Sequence, residues 1–154
     1  MTFKLGASSL AELNGVNPLL VRVVMRAIQI TKQDFVVLDG IRTIEEQRKY
    51  VANGTSKTMK SKHLEGRAVD LVPYVEGKVR WWWPQIYIVA AAMKTAAAEY
   101  RTPIIWGTVW DKRLGDIANE PGNLPDLLKE EGLAYNARHP GRDFPDGPHY
   151  EIVL

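Results

Sequence analysis

The chain has 154 residues, 45% hydrophobic and 25% charged, values of one ordinary globular domain and not of a disordered or fibrous chain. It contains no cysteine, which excludes disulfides, thiolate metal sites and cysteine nucleophiles and leaves His, Asp, Glu and backbone oxygens as the only metal donors. A formal net charge of +2 is too small to argue for nucleic acid as a partner, though it is compatible with an anionic polymer.

In chain order, the opening stretch MTFKLGASSLAELNG has no apolar core of the kind a signal peptide needs. The longest nearly pure apolar run, Ile86 to Met93, is too short to cross a bilayer. The expectation is a chain made in the cytoplasm without stable membrane association. Ser8 to Leu13 suits a short helix. Asn17-Pro18 supplies an N-cap and a first-turn proline, and Leu20, Val23, Val24, Ala27 and Ile28 recur at helical spacing to Thr31. Phe35 to Leu38 reads as a buried strand, turned by Asp39-Gly40. Thr43 to Glu46 has the form of a capping box, opening a helix to Ala52 that Asn53-Gly54 ends.

Ala68 to Val75 reads as a strand, followed by the turn Glu76-Gly77-Lys78. Pro84 starts the longest helix, with Ile86, Val89, Ala90, Met93, Ala97 and Tyr100 on one stripe, and Pro103 stops it. Ile104 to Trp106 is a strand. From Gly107 to Pro148 the pattern is irregular, with one short helix near Pro125 to Glu131 closed by Gly132; loops this long inside a domain are usually functional. Tyr150 to Leu154 forms the last strand. Strands and helices mix without regular βαβ alternation, which makes the class α+β.

The chemistry concentrates in SKHLEGRAVDLVPY, Ser61 to Tyr74. In one helix His63 and Asp70 would lie about 10 Å apart along the axis, awkward for a shared metal. In one strand they would point to opposite faces. A bend between them resolves both problems, and Gly66 is where a bend is cheapest. The second half of a site is expected in DGPHYEIVL, where His149 and Glu151 share one face of the final strand, Tyr150 and Ile152 share the other, and Asp146 precedes His149 by three residues. Two histidines and an aspartate give three protein ligands and leave one position open. That is the pattern of a catalytic and not a structural zinc site, and a nearby carboxylate can serve as general base.

The run Ser61, His63, Gly66, Ala68, Asp70, S-x-H-x-x-G-x-A-x-D, resembles the first zinc motif of the D-alanyl-D-alanine peptidase and L-alanyl-D-glutamate endopeptidase family, and Asp146 with His149 resembles its second, D/E-x-x-H. The segments FKLG, DFVVLDGIRT, ANGTS, VPYVEGK and HYEIVL are similar to the phage endolysins that cleave the L-alanyl-D-glutamate bond; Gly107 to Asp143 is the weakest part of the likeness. The resemblance implies a single catalytic domain over residues 1–154 without a separate wall-binding domain, and a small, mainly antiparallel sheet of the hedgehog and D,D-peptidase kind carrying one zinc ion on His63, Asp70 and His149. It implies Asp146 as the base that activates water and returns the proton to the leaving amine, and Arg42 as the cation facing the developing oxyanion. Ser61 is assigned to substrate or ligand contact.

The implied substrate is bacterial peptidoglycan, cut in its peptide stem during host lysis. A monomer would wait in the host cytoplasm until a holin-type pore gives access to the wall. The nearest alternative is a D-alanyl-D-alanine carboxypeptidase or dipeptidase with the same metal chemistry; the farther one is a non-enzymatic, zinc-stabilised wall-binding module. Trp110 and Asp111 are placed at the flank of the substrate pocket, with Trp106 there or in the core. Glu151 is the rival base or a partner of His149. His139 is read as an exposed loop residue. Trp81-Trp82-Trp83 either stack on sugars or, the favoured reading, dock the start of the long helix. Lys57, Lys60 and Lys62 are read as a solvated patch.

Overall fold

Asn17 does what its residue type allows at a helix start: its Oδ1 accepts a hydrogen bond from the Leu19 amide at 2.9 Å, with Pro18 in the first turn. The computed structural model describes residues 2–41, 44–54, 62–140 and 145–154. Its helices are α1 (Ala7–Glu12), α2 (Pro18–Ile30), α3 (Ile44–Ala52), α4 (Trp83–Glu99) and α5 (Leu124–Arg138). The strands are β1 (Phe35–Asp39), β2 (Ala68–Val75), β3 (Lys78–Val79), β4 (Ile104–Trp106), β5 (Val109–Arg113) and β6 (His149–Ile152). The fold is α+β, as the mixed pattern implies. The Thr43 end of the expected capping box lies outside the described residues.

All strand pairings are antiparallel, in the order β1-β2-β6-β4-β5, with β3 pairing β2 as a hairpin. The last strand in sequence therefore sits between β2 and β4. Alternation divides each strand between two faces. Val69, Leu71, Tyr150 and Ile152 join Leu20, Val23 and Val24 of α2 and Val89, Ala90 and Met93 of α4 in one buried cluster. Asp70, His149 and Glu151 point to the opposite face. Core packing thus fixes the register that presents these polar groups together.

The stretch after Gly107 is not the irregular loop expected of it. It holds β5, a 3₁₀ turn at Leu114–Asp116, and a helix of 15 residues that runs past Gly132 to Arg138. Gly132 does not end this helix. It lets the helix approach the turn that leads into β5, since a Cβ there would fall 2.7 Å from Thr108 Cγ2. Lys94, on the inner half of α4, is buried and donates to Asn119 Oδ1 at 2.7 Å and to the Leu114 carbonyl at 3.3 Å, tying α4 to this connection.

Candidate metal centre

The strand register puts Asp70 directly opposite His149 across β2 and β6. His63 arrives from the other side of a bend. It sits in a 3₁₀ turn, Lys62–Glu65, after which Gly66 adopts φ +68° and hands the chain to β2. Glycine is required twice over at this point. The left-handed conformation strains other residues, and a Cβ would lie 2.6 Å from the Gly15 carbonyl oxygen.

The three side chains converge. His63 Nε2 lies 3.3 Å and His149 Nδ1 3.4 Å from the same Asp70 oxygen, Oδ1. One ligand atom from each of the three residues falls within 4.8 Å of the others, and both imidazoles are buried. An ion held at ~2.0–2.1 Å by tetrahedral nitrogen and oxygen ligands sets those ligands roughly 3.3 Å apart, so two edges of such a site are already formed.

The outer nitrogens decide which atoms face inward. His63 Nδ1 is 2.6 Å from the Gly40 carbonyl oxygen, which can only accept, so Nδ1 carries the proton and Nε2 turns to Asp70. Gly40 permits this contact by its lack of a side chain, because a Cβ there would collide with the Glu12 carbonyl. His149 Nε2 is 2.9 Å from Glu151 Oε1, so it donates to that carboxylate and turns Nδ1 inward. Each inward nitrogen thus has its partner nitrogen bonded to an oxygen from behind. This is how metal-binding histidines are oriented. The donor set of two imidazoles and one carboxylate suits a borderline divalent ion.

The electrostatics agree. Burial alone would raise the Asp70 carboxyl and lower the His149 imidazole, yet contact with each other reverses both. Asp70 is held well below the usual carboxylate range by His149 and His63. His149 is pushed up to about 10 by Asp70, Glu151 and Asp146.

Asp146 lies in the turn that leads into β6, and its charge helps to raise the His149 imidazole. Its amide donates to the Gly107 carbonyl at 2.8 Å, and its own carbonyl accepts from the His149 amide at 3.0 Å. Gly107 has to be glycine here, because a Cβ would strike the Asp146 carbonyl and come within 2.9 Å of His149 Cβ. Arg42 and Ser61 lie outside the described residues. Trp110 packs its ring against His149, with centroids 5.1 Å apart. Asp111 turns away from that contact. Its carboxylate is clasped by Arg138 through two hydrogen bonds of 2.8 Å and approached by His139 Nε2 at 3.2 Å. His139 is therefore no free loop residue: it caps α5, stacks on Tyr135 and faces Asp111. Trp106 is fully buried in the core, its Nε1 donating to the Gly147 carbonyl at 2.7 Å.

A family model for phage L-alanyl-D-glutamate peptidases matches residues 1–123. The chain belongs to this family. That match takes in His63 and Asp70; the likeness beyond residue 123 comes from whole-chain relatives. The L-alanyl-D-glutamate peptidase of Escherichia phage T5 is 32% identical over 157 residues, covering 99% of this chain and 100% of that one. The crystal structure of the Serratia marcescens L-Ala D-Glu endopeptidase ChiX is similar with a TM-score of 0.71 and 30% identity, covering 97% of this chain and 90% of that one. The α+β architecture is thus shared with an endopeptidase. Among the described residues no helix is long and apolar enough to cross a membrane.

Proposed function

We propose that the protein is a zinc-dependent peptidoglycan endopeptidase that hydrolyses the L-alanyl-D-glutamate bond of the peptide stem, acting as a phage endolysin. The observation that carries the reading is the convergence of His63 Nε2 and His149 Nδ1 on Asp70 Oδ1, at 3.3 and 3.4 Å, in a chain of this family. His63, Asp70 and His149 would hold one zinc ion. When bound, such an ion supplies a Lewis acid that polarises a carbonyl and acidifies water toward a pKa of about 7. Three protein ligands would leave a position for solvent or substrate.

The chain's own residues divide the remaining work. Gly40 and Glu151 keep the two imidazoles turned inward. Asp146, anchored through its backbone to Gly107 and His149, serves as the base: its carboxylate takes the proton from the attacking water and returns it to the leaving amine. Arg42 meets the negative charge that develops on the scissile carbonyl oxygen. Glu151 is the weaker candidate for base because its Oε1 is occupied by His149. Residues 1–154 act as one catalytic domain and as a monomer, reaching the wall through a holin-type pore.

Digestion of purified sacculi by the zinc-loaded protein, followed by mass spectrometry, tests this reading. The expected products carry a new amino terminus on D-glutamate. Loss of a terminal D-alanine alone would establish the carboxypeptidase alternative, and intact sacculi in the presence of stoichiometric zinc would overturn the enzyme reading.

A further inference from the structure

The tryptophan triplet and the pocket behind it are not used by the chemistry above. Trp81 and Trp82 are about half exposed, at 54% and 48%, so the expected docking against the helix does not bury them. Trp83 opens α4 and packs on Tyr87 with centroids 5.5 Å apart. Both line a cavity of about 260 Å³ together with Thr108, Leu133, Asn136 and Pro145.

Three features mark this cavity as a binding site and not a packing fault. It is continuous with the catalytic turn: Pro145 directly precedes Asp146, and Trp83 and Ile86 lie so close over Gly147 that a Cβ there would fall 2.9 and 2.6 Å from them. Its aromatic wall is held rigid, since the edge of Trp106 meets Tyr87 and donates to the Gly147 carbonyl. Its polar wall groups differ in access. Thr108 is only 3% exposed, and its buried hydroxyl has no hydrogen-bond partner among the described residues. Asn136 adds an exposed amide at the same wall.

Among the described residues the lining carries no charge. A stem peptide bearing carboxylates would call for cations, whereas a pyranose presents C–H faces to aromatic rings and an acetamide to hydroxyl and amide groups. The volume lies below the ~300–1,000 Å³ of pockets that take drug-sized ligands and suits a single sugar ring. We propose that this cavity is a subsite for a neutral N-acetylated sugar of the glycan strand, with Trp81 and Trp82, which lead into Trp83, extending the stacking surface along the polymer. The proposal rests on the endopeptidase reading for its polymer. It gives the chain a grip on the wall next to its catalytic turn.

The test uses the zinc-loaded full chain and tetra-N-acetylchitotetraose as probe. By nuclear magnetic resonance the probe is expected to shift the indole signal of Trp83 and the side-chain amide of Asn136. At millimolar concentration it slows digestion of sacculi and leaves digestion of a glycan-free stem peptide unchanged. Asn136→Leu, at an exposed position that folding tolerates, and Tyr87→Leu each weaken probe binding by about tenfold, the size of one lost hydrogen bond or stacking contact. Absence of shifts and of competition, with both substrates still cut, overturns the subsite and leaves the endopeptidase. Probe binding at these residues with neither substrate cut sustains the subsite and overturns the endopeptidase. Sedimentation with phosphatidylglycerol-containing vesicles that Trp81→Ala and Trp82→Ala abolish, with no response to the probe, shows a lipid surface instead and overturns the proposal.

Discussion

Glu151 holds His149 from behind, its Oε1 2.9 Å from Nε2, while the other ring nitrogen faces Asp70. The carboxylate therefore sets which nitrogen is offered to a metal. Glu151→Ala is expected to weaken zinc affinity by about 10–100-fold, with Glu151→Gln in between because its amide oxygen still accepts. Competition against a chromogenic chelator measures this; unchanged affinity in Glu151→Ala would show that Asp70 alone orients the ring.

Metal uptake displaces a proton. His149 is raised to about 10 in the metal-free site, by Asp70 and Glu151 against the opposing effect of burial. At pH 7 zinc binding should release about one proton from this residue, because the ligand must be deprotonated. Calorimetry in two buffers of different ionisation enthalpy gives the number. For the metal-free protein the sign follows from linkage. A raised imidazole contributes stability that is complete below its unfolded value of about 6.5 and is lost as pH rises through about 10. The lowered Asp70 contributes above about 3.9 and fails as acid protonates it. Stability from this pair is thus fullest between those two limits. A His149→Asn variant should lose that pH dependence.

Gly66→Ala forces a side chain into φ +68° and against the Gly15 carbonyl. The conformation alone costs roughly 1–2 kcal/mol, and the clash adds to it. Urea denaturation should show a loss of at least about 2 kcal/mol, accompanied by weaker zinc binding, since the bend delivers His63. A neutral effect would mean that the turn can be made without glycine.

Asp111 is bound by Arg138 and His139, and Arg138 holds its carboxyl well below the usual range. The pair is about one-third exposed, so Asp111→Asn should cost only ~0.5–1 kcal/mol at neutral pH. A lowered carboxyl contributes above its unfolded value of about 3.9 and loses that contribution as pH falls further. The gap between variant and wild type should therefore narrow from pH 4 toward pH 2. Thermal unfolding across that range checks it. A rise in KM with no change in stability would instead return Asp111 to the substrate pocket, where the sequence placed it.

Lys94→Met leaves the Leu114 carbonyl and Asn119 Oδ1 without their shared donor. The expected loss is about 1–3 kcal/mol, partly offset because burial of the ammonium, which lowers its pKa, is removed. Hydrogen exchange should show the connection around Leu114 opening first.

The sequence was most legible where one residue type admits one conformation. Asn17-Pro18 could hardly be anything but a helix start, and Gly66 between His63 and Asp70 announced the bend that the structure makes. Strict alternation likewise sets His149 with Glu151 on one face and Tyr150 with Ile152 on the other, the face the structure buries. The 107–148 region was misread because its signals depend on tertiary neighbours. Val109–Arg113 is an edge strand with three exposed polar residues, so it lacks a buried alternating pattern. In α5 only Leu128, Gly132 and Tyr135 are buried, and the glycine, which looks like a stop, serves close approach to Thr108. Lys94 was invisible for the same reason: nothing local says that its partners are carbonyls from twenty residues later. His139 and Trp81 are read from residue type, and it is spatial partners for the one and lack of cover for the other that change the reading.

β6 follows every other described strand in the sequence, yet it fills the slot between β2 and β4. Until residues 149–152 emerge, the nascent sheet is split, and the pair His63 and Asp70 lacks its third companion. The cluster that could hold a metal is thus completed by segments about eighty residues apart and only once this strand has joined the sheet.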